Sequence, residues 1–561
     1  MRKSAIFLLF VAFCLTILGL SAQGGIAVPP QTARPKTEAE GKQKPEDSKQ
    51  RPVAKSKVYL LHSDLLRKDA THPDAQIVTG NVRFRHDSVY MYCDSACYYD
   101  KVSSFEAFGN VKMVQGDTLF LYGDRLYYDG LTQIAEMRCN VRMENRTTTL
   151  LTDSLNYDRV YNLGYFFDGG TLMDEQNVLT SEWGEYSPQT KQSVFNYNVK
   201  LVNPQFTLTS DTLRYNTASK IADIVGPSDI WSDANHIYSE KGTYNTVTGK
   251  ADLYDRSVLT NQGKQLTGDT LFYDRNTGVG EVFSRMVMTD TINRNMLTGE
   301  YGYYNEQTDY AFATDSAVAI DYSQRDTMYM HADTFKVYTF YMDTDSMYRE
   351  VRGYHKVRSY RMDVQSVCDS LVFDSRDTCI TMYRDPIVWN GGQQVLGEVI
   401  KVYLNDSTID RIHVIDQTLS VERIDSVHYN QVAGKEMTSY FRDGEMYETW
   451  VNGNVYVDYY MFDDDSLMIG LNYTETTELK LFMKERKMEK IWMPASTGVI
   501  YPIVMIPPNR LYLSNFAWFD YIRPLNKDDI FVWRPKKSGT ELKTSYKHKA
   551  PLQSLDQIKK K

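Results

Sequence analysis

Apolar and polar residues alternate with a period of two along most of this chain, and the alternation returns at a nearly fixed interval. In Asp211–Tyr215, Leu213 and Tyr215 share one face while Thr212 and Arg214 share the other. Val82 and Phe84 flank Arg83, Val111 and Met113 flank Lys112, Val141 and Met143 flank Arg142, and Val199 and Leu201 flank Lys200. Leu271 and Tyr273 repeat the spacing. Such patterning specifies strands buried on one face. One strand type opens on an acid, as in Gly123-Asp124-Arg125-Leu126-Tyr127-Tyr128, and from Asp124 to Asp269 these acids stand 29 residues apart at every step. Asp94 and Asp64 extend the beat upstream at intervals of 30; downstream, through Glu300, Asp333, Asp369, Glu398 and Glu436, it loosens to between 29 and 38. The second strand type carries Asn-Val, often behind glycine, as in Gly80-Asn81-Val82, Gly109-Asn110-Val111 and Gly453-Asn454-Val455.

A beat of this length in half-buried strands means stacked supersecondary units. The fold expected is all-β: an elongated repeat β-jelly-roll, or β-taco, of stacked two-strand units of about 29 residues, followed by a C-terminal non-repeat segment. With one strand of each unit in each of two facing sheets, every unit adds about 4.8 Å to the stack. The glycine before Asn-Val suits a bulge or bend. The recurring acid reads as a strand-entry residue bonding local backbone groups. The two end strands are edges able to accept strands of another chain.

Residues 1–22 read as a signal peptide, with Arg2 and Lys3 ahead of an apolar run and Ser21-Ala22 as a small-residue cleavage site. Residues 23–57, rich in Pro, Lys, Glu and Gln, read as a disordered linker. The repeats occupy 58–465, a C-terminal cap or docking segment 466–535, and a basic, solvated tail 536–561. The 42 tyrosines suit pleated surfaces, and the net charge of −9 argues against a nucleic-acid partner. Cys93, Cys97, Cys139, Cys368 and Cys379 remain after signal cleavage and read as small buried hydrophobes. Cys93 and Cys97, four apart on one strand, would share a face too far apart for a disulfide.

No metalloprotease, nucleophile-elbow or phosphate-loop motif occurs, and the paired acids fall on the repeat, so neither enzymatic activity, nor a cofactor, nor a metal is expected. Asp463-Asp464-Asp465 reads as a solvated loop before a calcium site. The inward positions are then the candidate surface: Val82, Phe84, Val111, Met113, Val141, Met143, Val199, Leu201, Leu213, Tyr215, Leu271 and Tyr273. They form either a close-packed core or a trough that keeps the sheets apart and carries something apolar.

The segments TGNVRF, AFGNVKMVQGDTLFLYGDRLYYDG and MRCNVRMENRTTTLLTDSLNYD resemble the repeat of the OstA/LptA family, most specifically over residues 78–158. The resemblance implies a periplasmic β-jelly-roll that holds lipopolysaccharide by its lipid A acyl chains between the sheets and carries it toward the outer membrane. The twelve inward residues would then line the lipid path. It also implies edge-to-edge joining with like-folded partners, an inner-membrane anchored protein and the periplasmic domain of an outer-membrane barrel, and allows a homo-oligomer. This chain is longer than a simple bridge and adds its own C-terminal segment. The competing readings are a cell-surface or carbohydrate-binding β-solenoid and an outer-membrane β-barrel. Arg83, Lys112, Arg142, Lys200 and Arg214 opposite the apolar positions, and the Lys559–Lys561 terminus, disfavour the barrel.

Overall fold

The computed structural model describes residues 57–540 apart from 70–71, 233–234, 324–325, 343, 406–408, 443–444 and 485–486. The stretch read as a signal peptide, nearly all of the stretch read as a linker, and residues 541–561 of the expected tail lie outside the described residues. The described strands pair antiparallel, and the helical segments among them are three-residue turns. They form two compact units that divide between Gly249 and Lys250. The fold class is the all-β taco read from the repeat.

In the N-terminal unit a repeat is a hairpin of two long strands, such as Leu119–Asp129 and Ile134–Asn145. Each strand is bent at its middle, where the pairing register shifts between Tyr122 and Arg125. Each strand therefore enters both arms of the taco, which corrects the expected assignment of one strand to each sheet. A repeat accordingly adds two strand spacings, about 9.6 Å, to each arm. At the bends, pairs such as Gly80-Asn81, Gly109-Asn110, Cys139-Asn140 and Tyr197-Asn198 adopt left-handed φ between 45° and 81°. Asparagine tolerates that conformation, and glycine is at home in it.

The recurring acid also has a role other than the one expected. Asn81, Asn110 and Asn140 donate through Nδ2 to Asp64, Asp94 and Asp124 at 3.1, 2.8 and 2.6 Å. The Asp64 amide bonds the Gly80 carbonyl at 3.0 Å. The acid thus clamps the next strand's bend through a side chain 16 or 17 residues away, and Arg285 takes the asparagine's place against Asp269. At Gly80 a side chain would also collide with the Asp64 carboxylate, 2.2 Å from the Cβ position.

The inner faces of the two arms pack directly, as where Phe84 stacks on Phe105 at 4.1 Å between ring centroids. One register row explains the close fit. It runs Phe105, Tyr128, Ala135, Tyr157, Gly164, Tyr186, Ser193, Tyr215, Ala222, Tyr244, each residue directly opposite the next. From Tyr128 onward large and small side chains alternate, so Tyr157, Tyr186 and Tyr215 each fit between two small neighbours. Their hydroxyls reach the far arm: Tyr128 Oη lies 2.6 Å from His86 Nδ1, Asn145 donates to Tyr186 at 3.1 Å, and Tyr215 donates to Asp174 at 2.8 Å. Buried tyrosines whose hydroxyls are satisfied in this way hold the arms together.

The bends also redirect the cysteines. Cys93 is buried opposite Val82, whereas Cys97, beyond the bend, pairs with Ile77 on the other side of the pleat. The two do not share a face. Cys139 occupies a bend and is exposed, unlike buried Cys368 and Cys379.

The C-terminal unit begins in the same style, with the row Ala251, Tyr273, Gly280, Tyr304, Ala311. The row then changes character: Val337, Val351, Phe373, Ile380, Val402, Ile412, Ser439, Thr449, Leu481, Ile491. Strands continue past Asp465 to Pro502. The Asp463 carboxylate caps the turn between two of them, accepting from the Asp465 and Leu467 amides at 3.0 and 2.8 Å. From Ile503 the chain leaves the sheet and lies across the outer face of one arm.

Candidate functional site

Beyond Val337 no tyrosine bridges the row, and a cavity of about 910 Å³ opens between the arms of the C-terminal unit, bordered by residues from Met328 to Met493. One wall is mainly aliphatic, interrupted by Ser439 and Thr449. Its innermost row runs Leu371, Met382, Ile400, Val414, Met437, Val451, Leu479, and the next row includes Ile380, Val402, Ile412, Leu481 and Ile491. The facing wall is layered. Its inner row is Met330, Ser359, Ser366, Val388, Val395, Ser420, Val432, Val457, Thr474. One step outward, at the hairpin ends, the row becomes Asn390, Gln393, Glu422 and Asn430, with Tyr459 opposite Asn472 further along. These polar side chains are tied to one another: Gln393 donates to Ser420 Oγ at 3.0 Å, and Asn430 donates to Glu422 at 3.1 Å.

This wall carries apolar residues on both faces, because alternate residues point to the cavity and to the C-terminal segment. Val388 and Val395 border the cavity, while Ile387, Trp389 and Leu396 pack outward with Leu419, Val421, Leu513, Phe519 and Ile522. Buried glutamines fasten the segment. Gln394 donates to the Ala517 carbonyl at 2.9 Å and accepts from the Phe519 amide at 2.8 Å. Gln431 bonds the Leu511 carbonyl at 3.1 Å and the Leu513 amide at 2.9 Å. Arg523 donates to Gln365 at 2.7 Å, and Arg358 donates to the Ile530 carbonyl. Lys536, read as the start of a solvated tail, instead sits 2.6 Å from Asp385 and 3.9 Å from the Phe519 ring centroid. Beside the segment, Asp458 is 1 % exposed, and neither of its carboxylate oxygens has a hydrogen-bond partner among the described residues. Burial pushes its pKa up to about 7, and Arg510 only partly offsets the effect.

A second depression, of about 830 Å³, lies over the bends of the N-terminal unit around Asp124, Asn140 and Asp168 and is open to solvent. It contains no enclosed surface for a ligand.

The twelve inward residues are placed as follows. Val82, Phe84, Val111, Met113, Val141, Met143, Val199, Leu201, Leu213 and Tyr215 lie inside the N-terminal unit, and Leu271 and Tyr273 in the first strands of the C-terminal unit. None is more than 3 % exposed, and none borders the cavity. Arg83, Arg142, Lys200 and Arg214 opposite them are exposed. The cavity residues follow the point where the 29-residue beat loosens. Their signal in the sequence is the end of the Tyr–small alternation, together with strands such as Ile387–Asn390 and Val399–Leu404 that are apolar on both faces.

Compared with protein families, the chain matches that of OstA-like protein over residues 55–211, 207–269 and 231–321. None of the curated proteins compared with it matches. The family comprises β-structured proteins of lipopolysaccharide-transport type, generally periplasmic and non-enzymatic. No helix among the described residues is long and apolar enough to cross a membrane. Over residues 55–321, the repeats that precede the cavity, the chain is similar to the OstA-like proteins.

Proposed function

We propose that this protein is a periplasmic lipopolysaccharide-binding bridge, and that lipid A acyl chains rest in the cavity of the C-terminal unit on their way toward the outer membrane. The observation that carries the reading is the cavity itself. At about 910 Å³ it has room for roughly thirty methylene-sized groups, taking the ~30 Å³ of a water-sized group. Each buried methylene contributes about 0.8 kcal/mol, so even partial occupancy gives useful affinity. In this reading the twelve inward residues of the earlier repeats, Val82 to Tyr273, meet lipid only when the arms part. The first strands, Tyr59–His62 and Leu65–Asp69, both pair with His72–His86 and supply an edge for a like-folded partner.

Placing a photo-crosslinking residue at Met437 tests the proposal. Lipopolysaccharide adducts are expected there, with Met143 labelled weakly or not at all. Labelling confined to Met143 would move the lipid site to the N-terminal unit, and labelling at neither position would remove it. Exposed Trp231, stacked on His236 at 3.7 Å, and exposed Tyr238 favour a second reading, in which an outer face binds carbohydrate. Loss of glycan binding in Trp231→Ala, with lipid adducts absent, would establish that reading instead.

A further inference from the structure

The layering of the cavity carries information about the ligand's headgroup, given that the cavity holds acyl chains as proposed above. The outer row of one wall is Asn390, Gln393, Glu422 and Asn430, side by side at the hairpin ends. Asparagine and glutamine both donate and accept, whereas a carboxylate only accepts. Glu422 is exposed and, among the described residues, takes one side-chain hydrogen bond, from Asn430 at 3.1 Å, so a carboxylate with several acceptor sites keeps capacity for a ligand. Glu445 is the other charged group on the cavity border, and among the described residues no lysine or arginine borders it. Arg423, next to Glu422, points to the opposite side of the pleat, 3.7 Å from Asp520. Phosphate recognition calls for cations in a fork or cluster. This rim offers acceptors and amides instead.

We infer that the headgroup held at this rim presents hydroxyl and amine donors and carries no phosphate there: the cavity takes an acylated amino sugar through its unphosphorylated part. Glu422 accepts from a hydroxyl or ammonium of the sugar, while Asn390 and Gln393 bond further hydroxyls.

The test uses the full chain and two synthetic tetra-acylated diglucosamines with identical acyl chains, one bearing two phosphates and one bearing none, titrated by tryptophan fluorescence. The expected result is tighter binding of the phosphate-free lipid by about tenfold, a preference that Glu422→Gln narrows by about threefold, as suits an exposed carboxylate. Glu422→Lys is expected to reverse it. Equal or tighter binding of the phosphorylated lipid by the unaltered chain would overturn the inference and leave the acyl-chain cavity standing. Failure of both lipids to bind, together with no uptake of a brominated fatty acid, would overturn the cavity reading and this inference with it.

Discussion

Asp458 shows how one residue couples the C-terminal segment to pH. Its ordinary carboxyl pKa is about 4, and burial raises it to about 7 in the folded chain. Between those values the folded protein holds a proton that the unfolded chain has released. Stability therefore falls as pH rises through that window and levels off above it. Asp458→Asn is expected to flatten the melting temperature between pH 4 and 7 and to raise it at pH 8, by stabilisation on the order of 2 kcal/mol. A thermal denaturation series at pH 5 and pH 8 checks this. The sequence is less informative for the bend pairs. Asn81, Asn110 and Asn140 are conspicuous as strand markers, and Asp64, Asp94 and Asp124 as a beat. That each acid belongs to the asparagine 16 or 17 positions later follows only once the strands fold over, because side chains so far apart in sequence meet through register and not through local geometry.

Among the elements, the half-buried strands were legible and their bends were not. Period-two alternation survives a two-residue bulge, so a strand that changes arm at Gly80-Asn81 reads like one that runs straight on. The tyrosine ladder was likewise in view, at positions 128, 157, 186, 215, 244 and 273, without its function being evident. Its role as a spacer-filling bridge depends on the Ala, Gly or Ser opposite each ring. Tyr215→Ala is expected to cost about 3–5 kcal/mol, as large aromatic truncations in cores do. Tyr215→Phe, which leaves Asp174 to Lys220 at 2.8 Å, is expected to cost about 1–2 kcal/mol. Urea denaturation of the two variants measures the difference. On the cavity wall, Gln394→Ala would strip partners from the Phe519 amide and the Ala517 carbonyl, loosening the segment by on the order of 3 kcal/mol. Hydrogen exchange at the Phe519 amide should then accelerate roughly a hundredfold, and unchanged protection would show that the apolar contacts of Leu513, Phe519 and Ile522 hold the segment without it.

For the molecule as a whole, the all-β repeat and the OstA-like resemblance are readable from the motifs, and the cavity is not. The strongest repeats are regular because Tyr must alternate with Ala, Gly or Ser to close the arms. Where closure is given up the constraint relaxes, the beat loosens, and the inward row fills with Met, Ile and Val. Weak periodicity from Val337 onward thus marks the part of the chain that encloses space. The proposed function requires that this space hold acyl chains. The most direct measurement is native mass spectrometry of the full chain, purified without detergent after incubation with lipopolysaccharide, beside a variant in which Val395→Trp and Met437→Trp fill the cavity from its two walls. A lipid adduct on the unaltered chain that disappears in the folded double variant is the predicted result; an adduct retained undiminished in that variant would contradict the account.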